Sequence, residues 1–321
     1  MAILNRLRRW AQSVKRIRGE LSGINAKVTE FSGRLAESKM LSARILINQL
    51  VARGILTDID EAEFKVFSQF GEDGIIQYLI RQAKIPPNLY TFVEFGVESY
   101  VEANTRFLLM NNNWRGLVID GNKENMAAIQ NTELYWKYDL TAIAAFVDTD
   151  NINGLIHGAG FDGEIGLLSI DIDGNDYWIW DSINVVNPII VIIEYNSLFG
   201  SQRAVAVPYD PKFLRSEAHY SYLYLGSSLK ALELLGRRKG YALVGSNSTG
   251  HNAFFVRRDC LNGQPELTAE EAYVESRFRE SRDKSGRLSY LSGNARHREI
   301  GAMTVLDVER NTLIRVADLF S

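Results

Sequence analysis

The 321-residue sequence has one cysteine, Cys260, and no apolar run of the roughly 18–20 residues that a membrane-spanning helix needs. A single cysteine excludes an internal disulfide, and a free thiol is typical of a reducing compartment. Arginines interrupt the first apolar residues, so the N-terminus lacks the continuous hydrophobic core of a signal peptide. These absences predict a cytoplasmic protein.

A strong charge of either sign is also lacking, since the formal net charge is −3. Such a chain has no general electrostatic attraction to nucleic acid, and we expect no nucleic-acid partner. Hydrophobic residues make up 46% of the sequence and charged residues 23%, which suits a folded protein with one large or two modest cores.

A seven-residue apolar repeat occupies the N-terminal region. It consists of Leu7, Val14, Leu21, Val28 and Leu35, with Ile3, Trp10, Ile17, Ile24 and Phe31 at the companion positions. This a/d pattern predicts a helical stem over residues 1–56, which ends near Gly54 and forms homo-oligomers as a coiled coil. Three glycines (Gly19, Gly23 and Gly33) weaken the helix.

The start of this stem is basic, which leaves a second interpretation open. Its charged residues are Arg6, Arg8, Arg9, Lys15, Arg16 and Arg18, against a single acid, Glu20. A basic amphipathic helix can lie on an anionic membrane surface, so the protein could be peripheral to the inner face of the membrane. A solvated helix without a partner is the third alternative.

Strand and helix patterns alternate in the remaining chain. The strands are predicted in "YTFVEFGV", "RGLVIDGN", "LYWKYDL", "IGLLSIDID", "NPIIVIIEYN", "YALVGSN" and "NAFFVRR", with a helix around Ile143–Val147 after the third. The alternation predicts an α/β fold with a doubly wound, mainly parallel sheet and an antiparallel edge, over residues 57–258. Residues 259–321 are predicted to form a helical extension, with helices near 269–280 and 305–319.

Acidic or amide side chains follow each of the first five predicted strands. In order along the chain they are Glu94, Asp120, Asp139, Asp171 with Asp173, and Glu194 with Asn196. Ligands of open parallel sheets bind outside the carboxyl ends of the strands. We therefore expect one site at this edge, since helix capping explains one or two such acids but not all of them.

Asp120 is in the position where Rossmann-like proteins hold the hydroxyls of a ribose. The first loop lacks the G-x-G-x-x-G pattern of a pyrophosphate site, and only Gly96 permits a close backbone approach. A nucleoside without a pyrophosphate, such as S-adenosylmethionine, fits this combination. Glu94 would then face its cationic methionine end, and Asp139 its adenine amino group. Asp120 as a helix cap and Asp139 as a surface acid are the structural alternatives.

The stretch "LLSIDIDGNDYWIW" lacks the glycine and glutamate spacing of an EF-hand calcium loop. Three interpretations remain. Asp171 acts as a general base on an acceptor hydroxyl, or Asp171, Asp173, Glu194 and Asn196 hold Mg²⁺ or another divalent cation, or these residues only cap and hydrogen-bond. His251 is a further candidate base, with an ordinary polar role as its alternative.

Together, "FSQFGEDGII", "FVEFGV", "GLVIDGN", "LLSIDIDGNDYWIW", "IIVIIEYN", "GSSLKALELLGRRKGYALVGSN" and "NAFFV" resemble the FkbM-type S-adenosylmethionine-dependent methyltransferases. The resemblance spans roughly residues 67–256 and rests on the order of the blocks. It implies a class I methyltransferase fold and methyl transfer to oxygen, often on sugars or natural products. It also implies that Glu94 and Gly96 form the first cofactor motif, that Asp120 is the ribose acid and that Asp171 is the fourth-strand acid. The sequence departs from the family at Glu98, where such loops usually carry glycine or a small residue.

The leading functional hypothesis is therefore an S-adenosylmethionine-dependent O-methyltransferase acting on a sugar, a glycan or a related small molecule. One alternative is another nucleoside-binding or nucleotide-sugar enzyme with a Rossmann-like fold. The other is a non-catalytic coiled-coil scaffold with a degenerate cofactor pocket, a reading supported by Glu98.

Overall fold

The computed structural model describes residues 2–320, without the side chains of residues 2–5, 7–9, 11, 13, 25, 29 and 320. Ile3, Leu7, Arg8 and Arg9 of the predicted stem therefore lie outside the described side chains. The chain divides into two compact units, residues 1–49 and 50–321. Helix α1, Ala2–Arg53, ends one residue before Gly54, as predicted. None of the described helices is long and apolar enough to cross a membrane.

The second unit alternates helices with strands. Its helices are α2 Glu72–Gln82, α3 Arg106–Asn112, α4 Lys123–Gln130, α5 Glu133–Lys137, α6 Ile152–Gly158, α7 Asp176–Ser182, α8 Arg215–Ala218, α9 Leu229–Lys239, α10 Ala269–Ala272 and α11 Asn294–Glu299. Its strands are β1 Thr91–Phe95, β2 Arg115–Asp120, β3 Leu140–Ala144, β4 Gly163–Ile170, β5 Val186–Glu194, β6 Val205–Ala206, β7 Tyr241–Ser246, β8 Asn252–Arg257, β9 Thr304–Asp307 and β10 Thr312–Arg315.

The large sheet has seven strands in the order β3-β2-β1-β4-β5-β8-β7. Strands β1 to β5 pair in parallel, whereas β8 pairs antiparallel with both β5 and β7. The order reverses at β1, where the chain returns to add β4 on the other side. The predicted doubly wound, Rossmann-like sheet with an antiparallel edge is confirmed.

Strand β5 explains why the core has two layers. Ile190 and Ile192 pack into the cluster on one face of the sheet, and Val191 and Ile193 into the cluster on the other. All four side chains are fully buried. Successive side chains of a strand point to opposite faces, so a strand covered on both sides reads as the continuous apolar run of "IIVII".

The third strand was predicted one element too early in the chain. "LYWK" lies in helix α5, and the chain from Leu140 to Ala144, part of which was predicted as helix, forms strand β3. Pairing with β2 from Gly116 to Asp120 fixes this strand, because tertiary hydrogen bonding overrides the weak local preference of a five-residue segment.

The predicted C-terminal helices are also mostly wrong. Only Ala269–Ala272 is α-helical within 269–280, and strands β9 and β10 form a hairpin in the region predicted as a helix near 305–319. The hairpin pairs through β9 with β6, which makes a second, three-stranded sheet with the chain after β5. Residues 259–320 therefore pack into the second unit rather than forming a separate helical extension.

Candidate active site

A cleft of about 870 Å³ opens along the carboxyl edge of the large sheet. It is lined by acidic side chains at the carboxyl ends of four neighbouring strands, Glu94, Asp120, Asp171 and Glu194. Gly96, Asp173, Asn196 and His251 line the same cleft. The parallel strands end at a common edge, so the fold brings together residues that are distant in the sequence.

Asp139 is the one predicted site residue that lies elsewhere. It precedes β3 instead of following it, and its backbone oxygen accepts a hydrogen bond from Gly116 near the start of β2. Its exposed carboxylate lies 3.7 Å from the guanidinium of Arg115. The predicted adenine contact is therefore wrong, because Asp139 lies at the amino edge of the sheet.

The loop after β1 is fixed by close backbone contacts. Gly96 has φ +73°, and a Cβ atom on this residue would lie 1.5 Å from the carbonyl oxygen of Asp171. Glu98 has φ +46°, a left-handed conformation that glycine adopts more easily, and its amide donates to Asp120 at 2.9 Å. The other carboxylate oxygen of Asp120 accepts from the amide of Asn122. Each oxygen still has a second acceptor position for a ligand hydroxyl.

Glu94 joins the first strand to the next helix. Its oxygens accept hydrogen bonds from the amides of Asn104 and Thr105, and from the hydroxyl of Thr105. Burial raises the pKa of Glu94 to about 7, although these hydrogen bonds favour the charged form. Its contacts position the 104–105 loop along one wall of the cleft.

Three carboxylates converge near the carboxyl ends of β4 and β5: Asp171 and Glu194 line the cleft, and Asp176 is fully buried. One oxygen from each of Asp171, Asp176 and Glu194 lies within 4.8 Å of the others. Burial, followed by the negative charges of neighbouring acids, holds the pKa values of Asp171 and Glu194 well above their ordinary range. Among the described residues, one oxygen of Glu194 is buried without a hydrogen-bond partner. The cluster therefore favours either shared protons or a bound cation.

Asp176 was missed as a member of this cluster, whereas two predicted metal ligands have other partners. Asp173 has φ +56°, and its carboxylate pairs with Arg215 at 2.8 Å. The side-chain amide of Asn196 donates to the carbonyls of Leu223 and Leu225, and its side-chain oxygen accepts from the amide of Leu198.

The turn at Asp173 and Gly174 reverses the chain, so that Asp176 accepts hydrogen bonds from the Ile172 and Gly174 amides. The sequence signal for Asp176 was its position as the third acid in "DIDGND".

His251 lies on the opposite side of the cleft from the strand that carries Asp120. Its Nδ1 lies 3.1 Å from the carbonyl of Thr249, which assigns the ring proton to Nδ1 and leaves Nε2 as the acceptor. Burial lowers the pKa of His251 from its ordinary value, so the ring is neutral at neutral pH. The histidine is therefore in the form that can accept a proton.

The C-terminal segment forms one wall of the cleft. Phe278 is 40% exposed, and its ring contacts those of Phe70 and His251 at centroid distances of 4.7 and 4.6 Å. Arg296 is 5% exposed and donates hydrogen bonds to the carbonyls of Ser276 and Phe278. These bonds hold the backbone of residues 276–278 in place. The sequence offered no signal for this contribution, because the segment has no periodic pattern that assigns it to the sheet edge.

Phe146 is a second residue that sequence reasoning missed. It follows β3 at the carboxyl edge, lines the cleft and is 47% exposed. Its ring lies 3.5 Å from the position of a Cβ atom on Gly121, the residue after Asp120. A half-exposed aromatic ring beside the end of β2 offers a stacking surface for a flat base.

The free energy of unfolding is expected to rise by about 1 kcal/mol or more as the pH falls from about 8.5 to about 6.5. Folding raises the pKa of Glu94 from 4.5 to about 7 and raises that of Asp171 well above 3.8. Groups with raised pKa values stabilise the fold when protonated and lose that contribution as the pH rises through the folded-state pKa. Urea unfolding at the two pH values measures the difference. Glu94→Gln should reduce it, and greater stability at the higher pH would contradict the assignment.

No family model matches the chain, and no curated protein is significantly similar to it. Solved structures of low similarity include an O-methyltransferase from Bacillus cereus in complex with SAH, 12% identical over 66% of this chain and 88% of that one, with a TM-score of 0.38. The ribosomal protein L11 methylase of Lactobacillus delbrueckii subsp. bulgaricus is 17% identical over 57% of this chain and 77% of that one, with a TM-score of 0.34.

M. capricolum TrmK in complex with S-adenosyl-homocysteine is 12% identical over 56% of this chain, with a TM-score of 0.33. The match spans 65% of the TrmK chain, which is less than two thirds of its length. Similarity at this level carries no argument about activity. The fold assignment rests on the strand order of the sheet itself, which is the class I, Rossmann-like arrangement.

Proposed function

We propose that the protein is an S-adenosylmethionine-dependent O-methyltransferase that acts on a hydroxyl of a sugar, a glycan or a related small molecule. The observation that carries the proposal is the convergence of Glu94, Asp120, Asp171 and Glu194 on one cleft at the carboxyl edge of the sheet. The resemblance to the FkbM-type family, based on the order of the sequence blocks, points to the same chemistry.

The half of the cleft near β1 and β2 suits the cofactor. Asp120 offers two carboxylate oxygens to the hydroxyls of a ribose, and Phe146 offers its ring to the adenine. The close contact at Gly96 shapes the loop on which the methionine part would lie. The loop has no glycine-rich phosphate cradle, which favours a nucleoside such as S-adenosylmethionine over a dinucleotide.

The floor near β4 and β5 suits the acceptor hydroxyl. Bound S-adenosylmethionine would supply the methyl group: the hydroxyl oxygen would bond to the methyl carbon while the electron pair of the carbon–sulfur bond stays on sulfur. The acceptor proton would pass to the ionised carboxylate of Asp171, whose raised pKa makes it a stronger base than an ordinary carboxylate, or to Nε2 of His251. Positioning supplies most of the catalysis, because the sulfonium group is already an activated methyl donor.

Asp171, Asp176 and Glu194 also suit a divalent cation. Three carboxylates are hard oxygen donors of the kind that Mg²⁺ prefers, and a cation would offset their mutual repulsion. When bound, the ion would lower the pKa of an acceptor hydroxyl. The charge of Arg215 already offsets part of this repulsion, since it lowers the pKa values of both Asp171 and Glu194. The cluster therefore also suits base catalysis without a metal.

The wall opposite the cofactor half supports a sugar-like acceptor. Phe278 and Leu214 line the cleft and are 40% and 44% exposed, so an apolar surface lies beside the carboxylates. A pyranose ring matches such a surface, because one face carries aliphatic hydrogens and the edge carries hydroxyls. A phenolic small molecule has the same combination of an apolar face and a polar edge.

Calorimetry with S-adenosylhomocysteine tests the cofactor assignment. We expect binding by the wild-type protein, and a loss of about 10- to 100-fold in affinity for Asp120→Ala, because the ribose hydroxyls lose a charged acceptor. Asp139→Ala is the matched control and should bind normally, since Asp139 lies at the other edge of the sheet. Absence of binding at millimolar ligand would refute the proposed function. Binding of a nucleotide sugar instead would support the alternative enzyme class.

A further inference from the structure

The N-terminal stem carries an apolar seam with no use in the proposed chemistry. Between positions 10 and 35 the large apolar residues follow one another at alternating spacings of four and three. They are Trp10, Val14, Ile17, Leu21, Ile24, Val28, Phe31 and Leu35. All eight are between 43% and 69% exposed on helix α1. A helix presents such positions as one narrow stripe along its length.

We propose that this seam, residues 10–35, is a self-association interface whose partner is the same seam on other copies of the chain. In this segment no leucine, isoleucine, valine, phenylalanine or tryptophan lies outside the a and d positions. A strict a/d stripe is the narrow seam that another helix covers, whereas a helix lying in a lipid surface needs a broader apolar face. The geometry therefore favours a helix over a membrane as the partner.

The exposed area of the seam is sufficient for a stable interface. From their fractional exposures, the eight side chains present on the order of 900 Å² of accessible surface per helix. A standard stable interface buries roughly 800 Å² per partner, so burial of this seam alone reaches that range. An exposed apolar stripe of this size on an isolated helix would favour non-specific aggregation instead.

The glycines of the stem are compatible with this interface. Gly19 and Gly33 occupy f positions and Gly23 a c position, all on the side away from the seam. A Cβ atom on any of them would meet no heavy atom within 4 Å. They lower the stability of the helix without interrupting the surface that associates.

Sedimentation velocity of the full chain tests the proposal. We expect the wild-type protein to sediment as a multiple of its 36.3 kDa mass at micromolar concentration. Ile24→Asp with Val28→Asp places two charges in the seam and should give a monomer. Ser22→Asp with Ala26→Asp adds the same charges at b and f positions and should leave the assembly intact. Near-ultraviolet circular dichroism of each variant verifies that the second unit is folded.

A gain of association gives an independent test. Gly19→Ala with Gly33→Ala should lower the concentration for half-dissociation by at least about tenfold, since each alanine favours the helix that associates. A monomeric wild-type chain would overturn the proposal, and so would equal dissociation by the seam and control pairs. Sedimentation of a monomeric wild-type chain with phosphatidylserine vesicles would assign the seam to a membrane instead. All of these outcomes are independent of cofactor binding.

Discussion

Gly96→Ala is expected to lower the free energy of unfolding by about 3–5 kcal/mol and to abolish binding of S-adenosylhomocysteine. Two effects combine at this residue. The φ of +73° is strained for any residue with a Cβ atom, and that atom would lie 1.5 Å from the carbonyl oxygen of Asp171. The clash is with backbone, so a change of side-chain rotamer cannot relieve it.

Urea unfolding and calorimetry measure the two parts of this prediction. Gly154→Ala is the control, because Gly154 lies in helix α6 and a Cβ atom there would meet no heavy atom within 4 Å. It should leave stability unchanged or raise it slightly, since alanine favours the helix. If Gly96→Ala were as stable as the wild type, the contact between the first and fourth strand ends would be wrong.

Asp171→Asn is expected to reduce kcat by about 100- to 10,000-fold and to change the affinity for S-adenosylhomocysteine by less than about threefold. The asparagine keeps the shape of the side chain but neither accepts the acceptor proton nor supplies a negative charge. Transfer of a radiolabelled methyl group to a panel of monosaccharides and methyl glycosides measures the rate. Asp173→Asn is the matched control, because Asp173 is more exposed and pairs with Arg215. Equal rates for Asp171→Asn and the wild type would exclude Asp171 from the chemistry.

Chelation separates the two roles of Asp171. If the carboxylates hold a cation, removing divalent ions should reduce the wild-type rate, Mg²⁺ should restore it, and Glu194→Gln should resemble Asp171→Asn. If Asp171 is a base, chelation should have no effect. The rate should then rise with pH through the raised pKa of Asp171, because only the ionised carboxylate accepts a proton.

Strands with a strong apolar pattern were predictable from the sequence. "FVEF", "GLVI" and "IIVII" are buried on both faces of the sheet, so their mostly apolar character indicates a central strand directly. The acids that follow these strands could then be placed at the carboxyl edge, because all parallel strands end on the same side. This explains why Glu94, Asp120, Asp171 and Glu194 were predicted to share a site and do line one cleft.

The sheet edge and the C-terminal segment were not predictable in the same way. Strand β3 has the mixed burial of an edge strand, and β9 and β10 are short, partly exposed strands stabilised by their pairing. Local preferences in such segments are weak, and partners distant in the sequence decide their structure. Because the third strand was predicted too early in the chain, Asp139 was assigned to the carboxyl edge although it precedes β3. For the same reason Phe146, which follows β3, was not predicted as a site residue.

By itself, the sequence determined the sheet class, the extent of the stem helix and the set of carboxylates at one edge, because periodic burial and chain polarity are local properties. Only the tertiary structure decided which carboxylates meet. The turn at Asp173 brings Asp176 to Asp171 and Glu194, while Asp173 pairs with Arg215 and Asn196 fastens a loop. The tertiary structure also placed Phe278 and Arg296 on the wall of the cleft. Distances of a few ångströms between side chains depend on turns and long-range packing, which a periodic pattern does not encode.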